Sequence, residues 1–219
     1  MSVGVRERQE REKEAVARAI LDAARDLFVV EGYRNVSIRK IAERIEYSPA
    51  AIYSYFPSKD DIFFALAEEG FRVLCAPSES CAMQTDPLQA IRGTFWRVYE
   101  FSTTHPEYFA LMFVDRSVPR ISRDWQRFGF VREMRAQIGQ VIQHAVETGI
   151  FPPGTHPDAV FRILLTAIMG ASISRLCDRA VPGEDGDALA RDTLEAALTG
   201  LRTGFPKTFQ PLSCDHVGD

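Results

Sequence analysis

Between positions 37 and 59 hydroxyls and cations recur at short intervals: Ser37, Arg39, Ser48, Tyr53, Ser54, Tyr55 and Lys59. These groups donate hydrogen bonds to phosphate oxygens, and among them Pro49 and Ala50 offer small apolar surfaces. Little else in the chain has the pattern of a reaction centre. No Ser-His-Asp grouping or phosphate-binding Gly-rich loop occurs, and His105 and His144 have no partner cluster around them. Cys75, Cys81, Cys177 and Cys214 form no close pair of the kind zinc or redox motifs use. No catalytic residue, metal ligand or cofactor is therefore expected, and the chemistry on offer is recognition of an anion.

The elements that must hold these groups are helical, and the chain reads as all-α. No sustained period-2 alternation or Asn-Gly hairpin appears, whereas apolar residues recur at helical spacing throughout. A charged lead-in over residues 6–14 pairs Glu7 with Arg11 and Arg8 with Glu12. An amphipathic helix through Val16, Ile20, Ala24 and Phe28 follows and stops at Gly32. Ser37 caps a short helix burying Ile38, Ile41, Ala42 and Ile45; Ser48, with Pro49 behind it, caps a second one that ends near Phe56. Only Glu46-Tyr47 separates the two, so the pair forms a helix-turn-helix, whose second member enters the major groove of DNA. Ser37, Arg39 and Lys59 then lie at helix N-termini, where free N–H groups favour a phosphate. Tyr53 and Tyr55 can donate hydroxyls. The second helix carries no Arg, Asn or Gln, so readout is expected to rest on thymine methyls, Ser48, Ser54 and DNA shape.

The run Val36-Ser37-Ile38-Arg39-Lys40-Ile41-Ala42, continued by Tyr47-Ser48-Pro49-Ala50-Ala51-Ile52-Tyr53-Ser54-Tyr55-Phe56-Pro57-Ser58-Lys59, resembles the DNA-binding domain of the TetR family. The likeness reaches back through Ala23-Ala24-Arg25-Asp26-Leu27-Phe28 and Gly32-Tyr33 and covers about residues 15–70. It implies phosphate contacts from Ser37, Arg39, Tyr53, Tyr55 and Lys59, and base proximity at Ser48, Pro49, Ala50 and Ser54. Two departures stand out. Glu46 occupies the usual turn glycine, and Tyr47 the usual valine, so the turn must form without glycine's freedom.

Beyond residue 73 the resemblance thins to an aromatic helix and a His105-Pro106-Glu107-Tyr108 junction similar to one TetR sensor subtype. Phe95, Trp96, Tyr99, Tyr108, Phe109, Met112 and Phe128 are the candidates to line an apolar cavity for a small lipophilic effector; ordinary bundle core is the alternative for each. The last two helices, with the small-residue stretch Met169-Gly170-Ala171-Ser172, are the expected homodimer interface. The domains expected are 13–73 for DNA binding, 74–205 for sensing and dimerisation, and 206–219 as a tail.

Charge distribution agrees with that division. Residues 1–59 carry 11 Lys/Arg against 9 Asp/Glu, the remainder 15 against 21, so a mildly basic head sits on an acidic body. No run reaches the roughly 18 uncharged apolar residues that span a membrane, and the start does not resemble a signal peptide. A cytoplasmic protein with no membrane partner is expected: a one-component repressor binding a pseudo-palindromic double-stranded DNA operator as a dimer. The alternatives are a helical ligand-binding protein that no longer reads DNA, or a helical enzyme.

Overall fold

In the computed structural model every regular element among the described residues is helical. The structure describes residues 3–76, 86–120, 124, 126–178, 183 and 185–204. Residues 77–85 of the loop expected at 76–85, residues 182 and 184 of the turn expected at 182–186, and the tail expected at 206–219 lie outside them.

Charged lead-in and amphipathic stretch are one helix, α1 (Val3–Glu31). Its exposed start is supported by Arg8 on Glu12 at 3.0 Å, a spacing of four residues. The expected Glu7–Arg11 pair takes another form, Arg11 donating to the Glu7 carbonyl at 3.3 Å. After a 3₁₀ turn (Tyr33–Asn35) come α2 (Ile38–Arg44), α3 (Pro49–Tyr55) and α4 (Lys59–Cys75). The body contains α5 (Pro87–Thr104), α6 (Pro106–Phe109) running on into a π-helical turn (Ala110–Val114), α7 (Gly129–Glu147), α8 (Pro157–Leu176) and α9 (Gly186–Thr203).

One boundary differs clearly from expectation. Periodicity starts α7 near Ser122, but it begins at Gly129. Before it, the Asp124 carboxylate accepts the Arg127 N–H at 3.3 Å, and Gly129 N–H reaches the Gln126 carbonyl at 3.3 Å. These are turn bonds, and they take up donors that a helix would need.

In the head, α2 packs on α1 and α3, and α1 also packs on α4. Ile20, Ala24, Ile41, Ala42, Ile52 and Ile62 are fully buried, while Ile45 and Phe56 pack half-buried against them. In the body, α5, α7, α8 and α9 pack on one another around Phe95, Tyr99 and Phe151. α4 joins the two parts: Phe64 and Phe71 meet Phe128 edge-on at 6.3 and 5.8 Å.

α8 is long and apolar enough to cross a membrane by length and composition, yet it packs among α5, α7 and α9 with only 28% of its most apolar stretch buried. One face, carrying Arg162, Thr166 and Gly170, is exposed in the single chain.

Candidate nucleic-acid interface

Local capping decides how α2 and α3 start. The Ser37 hydroxyl accepts the Lys40 N–H at 3.2 Å, and the Ser48 hydroxyl accepts the Ala51 N–H at 3.2 Å, with Pro49 in the first turn where it forfeits no helical bond. Between the helices Glu46 takes φ 58°, the left-handed conformation that glycine usually supplies. The turn closes through Tyr47 N–H to the Ala42 carbonyl at 2.9 Å. Glu46 thus adopts the conformation that glycine would supply, at a cost of about 1–2 kcal/mol.

That geometry leaves most of the expected residues exposed. Ser48, Pro49, Ala50, Tyr53 and Ser54 all face solvent on or beside α3, and Ser37 and Arg39 are exposed at the start of α2. Tyr53 is 53% exposed, a large aromatic in water on a short helix, which packing does not explain. Ser54 has its proton engaged with the Ala51 carbonyl at 2.7 Å and presents its oxygen lone pairs outward. Arg39 pairs with Glu43 at 2.9 Å, both well exposed, so the pair is weak and a phosphate can compete for the guanidinium. The α3 face carries no acidic residue and small side chains, so its backbone can approach a groove closely.

Two expected residues sit differently. Tyr55 is half-buried against the head's core. Lys59 donates to the Tyr33 carbonyl at 2.7 Å and the Val36 carbonyl at 2.9 Å, and its ammonium stands 4.0 Å from the centre of the Tyr33 ring. Burial holds its pKa below the ordinary lysine value despite the nearby Asp60. Two of its three N–H groups are thus committed inside the head, leaving one for a phosphate. Tyr47, which the sequence marks as a departure from the family's valine without placing it among the contact residues, lies in the turn beside the α3 N-terminus and is 45% exposed.

The seven candidate effector residues separate into two groups. Phe95 meets Phe161 of α8 at 5.6 Å, Trp96 stacks near Tyr99 at 5.0 Å, and Tyr99 donates to Asp187 of α9 at 2.7 Å. Burial and the Asp187 hydrogen bond push the Tyr99 pKa up to about 12. On the other side, Tyr108, Phe109, Met112 and Phe128 face α1 and α4: the Tyr108 ring lies 5.8 Å from Arg25, and the Met112 sulfur fills the space over Gly70. Two open concavities, of about 390 and 620 Å³, are lined by neither group.

Among the described residues, two short capped helices joined by a tight turn, the second exposed and free of acidic residues, have the build of a helix-turn-helix head on a helical body. Residues 20–66 match the family described as bacterial regulatory proteins, tetR family. That match covers the α1–α4 head, which is similar to the DNA-binding domain of this family. Among curated relatives it is 44% identical over 52 residues to the HTH-type transcriptional repressor Rv1474c of Mycobacterium tuberculosis, covering 24% of this chain and 28% of that one. It is 30% identical over 93 residues to the HTH-type transcriptional regulator RutR of Escherichia coli, covering 42% and 44%. The matches thus span less than half the length of these relatives. The fold extends further: the transcriptional regulator FadR of Bacillus subtilis, solved in complex with stearoyl-CoA, superposes with a TM-score of 0.68 at 16% identity, over 84% of this chain and 98% of that one. PfmR, a TetR family transcriptional regulator from Thermus thermophilus, gives 0.63 at 21%, over 83% and 98%.

Proposed function

We propose that the chain is a dimeric transcriptional repressor that binds a pseudo-palindromic operator through α3 and is released by a lipophilic small molecule. The observation that carries the reading is the exposed α3 face: Tyr53 in water beside Ser48, Pro49 and Ala50, flanked by the α2 N-terminus with Arg39. The domain division at about residue 73 supports it, because α4 begins in the head and ends against the body. Dimerisation draws support from α8, whose half-buried Ile163, Leu165, Met169 and Ile173 lie beside an exposed face at Arg162, Thr166 and Gly170, where Gly170 has nothing within 4 Å of an added Cβ. The lipophilic character of the effector draws support from the two aromatic groups, Phe95 with Trp96 and Tyr99, and Tyr108 with Phe109, Met112 and Phe128. Closely packed as they are, they must part to admit a ligand, and an effector shifts the balance only by binding the parted form more tightly. FadR's stearoyl-CoA points to the same ligand class.

The test is fluorescence-anisotropy titration of the purified protein against the DNA upstream of its own gene and a scrambled duplex, at two salt concentrations. Tight, salt-sensitive binding to the native fragment alone is expected. Tyr53→Ala is expected to weaken it about tenfold, the scale of one exposed charge-assisted contact, with no change in melting temperature. Equal weak binding to both duplexes, unaffected by Tyr53→Ala, would overturn the reading.

A further inference from the structure

We infer that Asp115, a residue of the body, is a positioning residue for the DNA-reading head: it anchors the 3₁₀ turn from which Ser37 and α2 start. The inference rests on the nucleic-acid reading above.

Asp115 uses both carboxylate oxygens as acceptors, and they face different parts of the molecule. Oδ2 accepts the backbone N–H of Tyr33 in the head at 3.2 Å, across 82 residues of sequence. Oδ1 accepts the N–H and the hydroxyl of Ser117 at 2.7 and 2.6 Å, within its own loop. Burial alone would raise this carboxyl's pKa; the bonds from Ser117 and Tyr33, with the nearby Arg34 charge, more than offset it and hold it below the usual aspartate value. The anchored turn is gripped from the other side by Lys59, on the carbonyls of Tyr33 and Val36. Tyr33 therefore has its N–H held by the body and its carbonyl held by α4, and Val36 leads directly into the α2 cap.

The segment leading to Asp115 is built to reach that point. Asp115 N–H bonds to the Ala110 carbonyl at 2.9 Å, the wider repeat of a π turn. A helix rotates about 100° per residue, so the additional residue in the turn decides which way the carboxylate points. One turn earlier the same segment is fastened to α1 and α4. Tyr108 faces Arg18, Arg25 and Glu69, Arg18 pairs with Glu69 at 2.5 Å, and Met112 occupies the space that a side chain on Gly70 would fill. The body thus holds the head at the turn before α2 as well as along α1 and α4, and separated contacts set an angle where a single contact would leave a pivot. Asp115 is an anion and cannot itself favour a phosphate, so any effect on DNA affinity passes through the turn.

The test uses the full chain with Asp115→Ala, Asp115→Asn and Ser117→Ala, read by amide hydrogen exchange in the free protein and by affinity for the native DNA fragment. With Asp115→Ala, exchange over residues 32–38 is expected to rise, exchange in α8 and α9 to stay as in the wild type, and DNA binding to weaken about tenfold, the scale of one hydrogen bond to a charged group. Asp115→Asn keeps one acceptor oxygen and is expected to fall between, while Ser117→Ala, which loosens only the body's own loop, stays within about twofold of wild type. Faster exchange in Asp115→Ala or Asp115→Asn with unchanged DNA affinity would overturn the inference and leave the repressor reading standing. So would a Ser117→Ala chain as weak as Asp115→Ala. A wild-type chain that binds neither duplex would overturn the repressor reading, and this inference with it.

Discussion

The α2–α3 pair and the body around α5 and α8 treat their side chains in opposite ways. The pair buries aliphatic residues, Ile38, Ile41, Ala42 and Ile52, and leaves Tyr53, Tyr47 and the serines in water. The body buries whole aromatics, with Phe95, Tyr99, Phe109, Phe128 and Phe151 all at 2% exposure or less, and leaves apolar residues of α8 such as Leu165 and Met169 half-buried. In the first region the exposed residues are the ones that packing cannot explain. In the second the informative residues are hidden, and their meaning depends on which helix lies opposite.

Breaking the body should be the most damaging. Phe128→Ala removes a ring wedged between Phe64 and Phe71 and is expected to cost about 3–5 kcal/mol, read as a shift in the urea midpoint by circular dichroism. An equivalent deletion on the α3 surface, Tyr53→Ala, leaves that midpoint in place. Next comes the exposed α8 face. A Cβ added at Gly170 has nothing within 4 Å and Gly170→Arg improves helix propensity, so the monomer fold is expected to be retained. If α8 pairs with a second copy, light scattering will show the dimer lost and operator affinity down about a hundredfold, the worth of the second tethered half-site. A Gly170→Arg chain that stays dimeric would move the interface elsewhere.

Smaller effects sharpen the contrast. Glu46→Gly relieves a left-handed backbone but gives the unfolded chain more freedom, so a net gain of up to about 1 kcal/mol is expected in chemical unfolding. In the body, the pH dependence of Tyr99 provides the counterpart. Its pKa is raised to about 12 by burial and by the bond to Asp187, so its stabilisation is present below pH 10 and lost as pH climbs from 10 through 12. Melting temperatures across that range should fall less steeply for Tyr99→Phe than for the wild type.

Much of the head was legible because its determinants are local. A serine three residues before the N–H it caps, a proline in a first turn and a two-residue gap define α2 and α3 wherever they occur, and the structure places both helices there. Lys59 shows where such reasoning ends. Its position at a helix N-terminus suggested a phosphate contact, but the Tyr33 and Val36 carbonyls that claim two of its protons lie 26 and 23 residues away. The aromatic set shows the same limit on a larger scale. Composition identified seven bulky side chains, and only the packing of α5 on α8 and α9, and of α6 on α1 and α4, divided them into two groups. Asp115 carried no signal at all, since nothing in its neighbours announces a bond to Tyr33.

By itself, then, the order of residues determined the helical class, the two capped helices with their short gap and the apolar character of α8, because each depends on neighbours within about one helical turn. Tertiary structure alone decided that Lys59 and Asp115 hold opposite sides of one turn, that Tyr99 is fastened to α9, and that the aromatic side chains serve two sides of the body. Those outcomes depend on which distant donors and acceptors meet once the helices pack, and no local periodicity encodes that.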